Sequence, residues 1–217
     1  MSELTLVIGN KNYSSWSLRP WLLLKHFDIA FDEIRIALYN DQARENLAKH
    51  SPSLKVPVLN HHGQAVWDSL AICEYISETF LNNRGWPSRP EARAIARSAS
   101  AEMHSGFFAL RNELPMNCRK QYANFELSTD VLSEVTRIKA IWSECRERFR
   151  MDGDWLCGEF SIVDCMFAPV VIRFHGYGVV LEGDLKVYAD QVLSHPHVAD
   201  WMKDGENESE VIEMAEV

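Results

Sequence analysis

The run Asn82-Asn83-Arg84-Gly85-Trp86-Pro87-Ser88-Arg89-Pro90 divides this chain. Two prolines, a glycine and paired asparagines in so short a stretch stop any helix or strand from passing through. Before it, short apolar runs of strand type alternate with helical spacings. Beyond it, strand signals vanish. The chain therefore reads as an α/β domain over 1–82, a linker over 83–90 and an all-helical domain over 91–217. A length of 217 residues suits two small domains, and a chain of this size can bury its core without covalent staples.

Leu4-Thr5-Leu6-Val7-Ile8, closed by Gly9-Asn10, reads as a buried strand. Apolar residues at Leu18, Trp21, Leu22, Leu24 and Phe27 then have helical spacing, with Ser17 as the expected cap and Pro20 in the first turn. Ala30 to Ile36 alternates apolar and charged residues and predicts a second strand with one wet face. A short polar helix over Asp41 to His50, a strand at Val56-Pro57-Val58-Leu59, a turn at His61-His62-Gly63-Gln64 and a strand at Ala65-Val66-Trp67 follow. Ser69 to Leu81 is the next helix, with Leu70, Ile72, Cys73, Ile76 and Phe80 on one face. The order β-α-β-α-β-β-α predicts a mixed sheet covered by helices on both faces. In the second part, helices are expected over Glu91–Arg111, Ser128–Phe149, Ser161–Tyr177 and Tyr188–Met202, with an acidic, solvated tail from Lys203.

Charge excludes several functions. The 31 acidic against 22 basic residues argue against a nucleic-acid binder and a polybasic membrane anchor. No stretch approaches the roughly 18 apolar residues that cross a bilayer, and the first residues do not resemble a signal peptide. The five scattered cysteines are expected as buried, reduced thiols of a cytoplasmic protein, with no metal site. His61-His62 and His195-Pro196-His197 are expected on surface loops.

Three segments converge at one edge of such a sheet, where α/β folds place ligands. Tyr13-Ser14-Ser15-Trp16-Ser17 puts three serines ahead of a helix, where one would suffice as a cap; a helix N-terminus also stabilises an anion such as a thiolate. In Lys55-Val56-Pro57-Val58, a proline heads a strand. A cis Val56-Pro57 bond would turn the Val56 backbone outward as a docking edge for a peptide-like ligand. Asp68 and Ser69 are either plain caps or, together, partners for an amino-acid zwitterion, Asp68 taking the ammonium and Ser69 the carboxylate.

These motifs, Tyr13-Ser14-Ser15-Trp16-Ser17-Leu18-Arg19, Lys55-Val56-Pro57-Val58-Leu59 and Asp68-Ser69-Leu70-Ala71-Ile72, resemble the cytosolic glutathione S-transferases, and within them serine-type bacterial and zeta-like members. Phe160-Ser161-Ile162-Val163-Asp164 resembles the capping box of that family's core helix, Ser161 and Asp164 closing the helix start reciprocally. The resemblance covers the whole chain. It implies a thioredoxin-like N-terminal domain, an all-α C-terminal domain and a cytoplasmic homodimer that serves detoxification. It also implies glutathione as co-substrate and no metal. Val56 beside a cis Pro57, with Lys55 and Trp16 alongside, would hold the cysteinyl unit, and Asp68 and Ser69 the γ-glutamyl end. Ser14 or Ser15 would donate to the sulfur. The product would be a thiolate for attack on, or isomerisation of, a small electrophile. A non-catalytic glutathione- or partner-binding module of the same fold is the alternative.

Trp16 stands where zeta-like enzymes tend to carry cysteine, which weakens the case for maleylacetoacetate-type isomerisation. Asp68 replaces a commoner glutamate or glutamine. The first loop has no cysteine, which argues against disulfide exchange. Trp16, His104, Phe107, Phe108 and Arg111 are candidates for the electrophile pocket, the two phenylalanines having core packing as their other reading. Arg173 is placed either on an anionic substrate or in solvent or an ion pair.

Overall fold

The computed structural model describes residues 3–217. Four strands, β1 (Leu4–Ile8), β2 (Asp32–Arg35), β3 (Val58–His61) and β4 (Gln64–Trp67), form one sheet in the order β2-β1-β3-β4. β1 pairs parallel with β2, which requires the crossover helix α1 (Ser15–His26); β3 and β4 are antiparallel and close in a two-residue turn. Alternation of side chains divides β1 between two faces. Leu4, Leu6 and Ile8 join the main core with α1 and α3 (Ser69–Phe80), while Val7 packs with Ile36, Leu47 and Val58 under α2 (Ala43–Ala48). The mixed sheet with both faces covered is as expected. β3 begins at Val58, one residue after Pro57, so the proline does not enter the ladder. The Val56-Pro57 bond is cis.

Six helices follow: α4 (Pro90–Ser105), α5 (Phe108–Glu113), α6 (Thr129–Phe149), α7 (Ile162–Gly176), α8 (Gly183–Ser194) and α9 (Pro196–Glu206). Two expected helices are each broken in two. Gly106, then Phe107 at φ 60°, divides Glu91–Arg111, and the turn at His195-Pro196 divides Tyr188–Met202. The His195 side chain caps α9 by accepting from the His197 N–H at 3.3 Å. α1 starts at Ser15, so Ser17 is not its cap and Pro20 lies beyond the first turn.

α7 is the centre of the molecule. Every residue of it but His175 is buried, and α1 and α4 both pack on it. The main core therefore runs without a break from the sheet into the helices. Asp164 anchors the start of α7: its carboxylate accepts from the Ser161 N–H at 2.9 Å and the Leu156 N–H at 3.1 Å. The box is laid out as expected, yet Ser161 Oγ itself has no hydrogen-bond partner.

The linker is anchored, and the tail departs from expectation. Trp86 is only 4% exposed, and its indole donates to Glu74 at 2.8 Å. The acidic tail is docked instead of solvated. Ile212 and Ala215 are buried, Glu208 accepts from the Lys11 and Asn12 N–H groups, and Glu210 and Glu216 pair with Arg35 and Lys120. Basic residues of both halves gather these carboxylates, a long-range match that local composition does not reveal.

A candidate active site at the end of β1

The loop after Ile8 is held from several sides. A Cβ on Gly9 would come within 2.6 Å of the Leu38 Cδ1 and 3.2 Å of the Ser14 Cβ, so a larger residue there would have to push the Leu38 side chain aside. The Tyr13 and Ser14 N–H groups bond the Asn10 carbonyl, and Asn12 Oδ1 accepts from the Cys118 and Arg119 N–H groups. Tyr13, the one phenolic hydroxyl of the segment, points away. Its oxygen accepts from Arg119 at 2.5 Å and its proton goes to Glu216. Burial, then that hydrogen bond to Glu216, raises its pKa; with its proton committed to Glu216, the serines are the hydroxyls that face the sulfur site.

The two serines have different partners. Ser14 precedes α1, and its hydroxyl donates to Ser17 Oγ at 2.8 Å; Ser17 also accepts from the Gly9 N–H at 3.2 Å. Ser17, expected as a cap, thus braces the loop. Ser15 Oγ accepts from Arg173 of α7 at 3.1 Å.

Arg173 is buried, and its other partner is the Leu114 carbonyl. Neither solvation nor an ion pair describes it. Arg19 is also buried; it reaches Ser69 Oγ at 3.3 Å and leaves Nε without a partner. Burial, then the neighbouring charge of Arg111, lowers both guanidinium pKa values to about 9. Trp16 lies between two of these cations, the Arg19 and Arg111 guanidinium carbons being 4.3 and 4.6 Å from its ring centre. Arg111 also bonds the Gly106 and Met103 carbonyls at the end of α4.

At the head of α3, Asp68 takes φ 74°, and its Oδ1 accepts from the Leu70 and Ala71 N–H groups at 2.9 and 3.2 Å. Oδ2 lies 3.0 Å from Nε2 of His104. Burial raises the Asp68 carboxyl while His104 and the two N–H groups lower it, and the lowering prevails. His104, a candidate for the electrophile pocket, is carried by α4 to Asp68, with its ring edge-on to Trp16 at 5.3 Å. Ser69 is buried under Arg19. Val56 lies outside the β1–β3 ladder, which starts at the Val7–Val58 pair, and Lys55 is exposed. Phe107 is buried in the core and Phe108 is 67% exposed, so the two neighbours do not share a pocket. Arg19 was read only as part of a motif; a helix that packs on both the sheet and α7 buries all its faces, which no local spacing shows.

Residues 13–79 match the family profile described as the N-terminal domain of glutathione S-transferase, and residues 106–204 match its C-terminal domain. The chain belongs to the glutathione S-transferase family. A probable maleylacetoacetate isomerase of Caenorhabditis elegans is 36% identical over 98 residues, 45% of each chain. A stringent starvation protein A homolog of Haemophilus ducreyi is 24% identical over 153 residues, 69% of this chain and 68% of the other. The first of these matches spans less than half of the relative's length. Among solved structures, a glutathione transferase homolog from Burkholderia gl BGR1 with bound glutathione superposes with a TM-score of 0.67 at 21% identity, over 94% of this chain and 98% of the other. An unclassified glutathione S-transferase of Bombyx mori gives 0.73 at 15%, over 94% of each chain. This member of the family has the thioredoxin-like sheet domain followed by the helical domain.

Proposed function

We propose that this chain is a glutathione transferase that converts the glutathione thiol to a thiolate for attack on a small electrophile. The observation that carries the reading is the setting of Ser14 and Ser15 at the head of α1: Arg173 donates to Ser15, Arg19 and Arg111 lie over the ring of Trp16, and the hydrogen bonds of all three cations go to neutral groups. Such a site favours a negative charge. Residues 1–82 would bind glutathione, and 91–217 would supply the electrophile pocket across the 83–90 linker.

Within that reading, Ser14 donates to the sulfur and Ser15 holds the loop to α7. Ser15 already has its oxygen on Arg173, whereas Ser14 is committed only to its neighbour Ser17. Rotation about the Ser14 Cβ–Oγ bond turns its proton outward, and Ser17 can then donate to Ser14. The thiol proton leaves to solvent, and the sulfur lone pair forms the new carbon–sulfur bond as the electrophile's leaving group departs with its bonding pair or, in an addition, as the displaced π pair takes a proton from solvent. Val56 holds the cysteinyl backbone with Lys55, Pro57 and Trp16 beside it. Asp68 takes the ammonium and Ser69 the γ-glutamyl carboxylate. Trp16, Phe108 and Arg111 wall the electrophile, and the cations favour an anionic one. No helix is long and apolar enough to cross a membrane among the described residues. Homodimerisation, a cytoplasmic location and detoxification rest on the family; the five buried free cysteines fit a reducing compartment.

Retention on immobilised glutathione followed by turnover of a panel of neutral and anionic electrophiles tests the proposal. Binding with turnover supports it. Binding without turnover on any electrophile identifies a glutathione-binding module, and no binding removes the reading.

A further inference from the structure

A second cluster lies at the opposite end of the sheet. Because β3 runs antiparallel to β1, Leu4 pairs with His61 while Val7 pairs with Val58. The β3–β4 turn thus closes over the start of β1, far from Ser14 and Val56. Consecutive strand residues point to opposite faces, but His61 and His62 do not. His62 is the first central residue of the two-residue turn, at φ 50°, and Gly63 follows at φ 83°. Positive angles at both positions define the tight turn that favours asparagine-glycine, and histidine is one of the residues that enter this region most readily after glycine. Its effect is to bring the two imidazoles together, with ring centres 4.2 Å apart.

Glu3 completes the group. Its carbonyl accepts from the His62 N–H at 3.4 Å, and its carboxylate Oε2 lies 3.4 Å from His62 Nε2. His61 Nδ1 is 2.8 Å from the Tyr75 hydroxyl of α3, which leaves Nε2 as the free ring nitrogen. The donor atoms of the three residues lie within 4.8 Å of one another. The sequence pattern left this histidine pair without partners because Glu3 joins it only through the sheet.

We propose that Glu3, His61 and His62 bind a divalent ion of the late first transition row, such as Ni2+, Cu2+ or Zn2+. Two imidazoles and one carboxylate suit such ions, whereas Mg2+ and Ca2+ take oxygen donors. Tyr75 is the outer partner that fixes the orientation of the His61 ring. The Glu3 and His62 side chains are 77% and 61% exposed, so water completes the coordination. The bound ion ties the start of β1 to the hairpin and stabilises the folded state by mass action.

Calorimetric titration of the metal-free full chain with Ni2+, without glutathione, tests the site. One ion per chain is expected. The melting temperature should rise with Ni2+ and not with Mg2+ or Ca2+. Co2+ should bind without a thiolate charge-transfer band, because the cysteines lie elsewhere. Replacing both His61→Ala and His62→Ala should weaken Ni2+ binding at least a hundredfold, and Tyr75→Phe up to tenfold, while His197→Ala changes nothing. In the unmutated protein, substoichiometric Ni2+ should broaden the His61 and His62 ring signals first, a reading independent of any variant's folding. Unchanged affinity in the folded double variant, earlier broadening of other histidines, or no Ni2+ binding below millimolar concentration overturns the assignment.

Discussion

His104 of α4 and Asp68 at the head of α3 meet across the two halves of the molecule, with Nε2 3.0 Å from Oδ2. The other carboxylate oxygen already serves two backbone N–H groups. Oδ2 is therefore the oxygen a γ-glutamyl ammonium would take, and His104 competes for it. His104→Ala should tighten glutathione binding two- to fivefold by calorimetry, as expected for removal of a partly exposed pair of about 0.5–1 kcal/mol. Weaker binding in that variant would mean that His104 supports the ligand.

Asp68 has two duties that separate by substitution. Asp68→Asn keeps an oxygen for the Leu70 and Ala71 N–H groups, so the melting temperature should hold while glutathione affinity falls tenfold or more. Asp68→Ala should lose the affinity and also about 1 kcal/mol of stability, the usual cost of a missing cap. Equal melting temperatures for the two variants would show that the cap is not needed.

Ser14→Ala should raise the pKa of the bound thiol by about one unit, the size of one hydrogen bond to an anion, with glutathione affinity little changed. Turnover at neutral pH should fall and recover in part as pH rises. Ser15→Ala should leave the thiolate titration nearer to that of the unmutated protein and lower the melting temperature, because buried Arg173 loses an acceptor. The reverse pattern in thiolate absorbance would exchange the two roles.

His26 gives a pH-dependent term. Its Nδ1 lies 3.0 Å from His195 Nε2, and its ring stacks on Phe160 at 3.7 Å. The His197 N–H donates to His195 Nδ1, so the His195 proton is on Nε2 and points at His26. Burial, then the nearby His195 and His197, lowers the His26 pKa to about 4. The unfolded chain, near 6.5, takes up the proton first. This stability is complete above about pH 6.5 and is lost as pH falls toward 4. The ring keeps a wet side, so the loss should be about 1–2 kcal/mol. Asp164, raised to about 7 by burial against its hydrogen bonds, acts in the opposite sense over part of that range. Denaturant melts of His26→Gln against the unmutated chain cancel it. Parallel stability curves between pH 4 and 7 would remove His26 from the account.

At the start of α7, Ser161→Ala should cost at most a few tenths of a kcal/mol, because Ser161 Oγ bonds nothing. Asp164→Ala strands the Ser161 and Leu156 N–H groups in the core and should cost about 2–4 kcal/mol. An Asp164→Ala variant that melts with the unmutated chain would mean that neither half of the box matters.

The sequence by itself determined the strand–helix alternation, the break at residues 82–90 and the three loop segments that gather at one sheet edge. Each rests on local chemistry: β-branched runs, prolines, and hydroxyl or carboxyl groups ahead of a helix. Helix ends were less legible. Gly106 and His195-Pro196 divide helices whose apolar spacing runs through the break, because periodicity records which face is buried and not whether the backbone continues. Only the tertiary structure decided the partners. Packing of α1 on α7 buries Arg19 beside Arg173 and puts Ser15 on an α7 guanidinium. Packing of α4 on α7 also sets His104 beside Asp68 at the head of α3. The acidic tail finds Lys11, Arg35 and Lys120 only once both halves are assembled. These contacts join residues distant in the chain, and their energy depends on burial and charge geometry that no local pattern encodes.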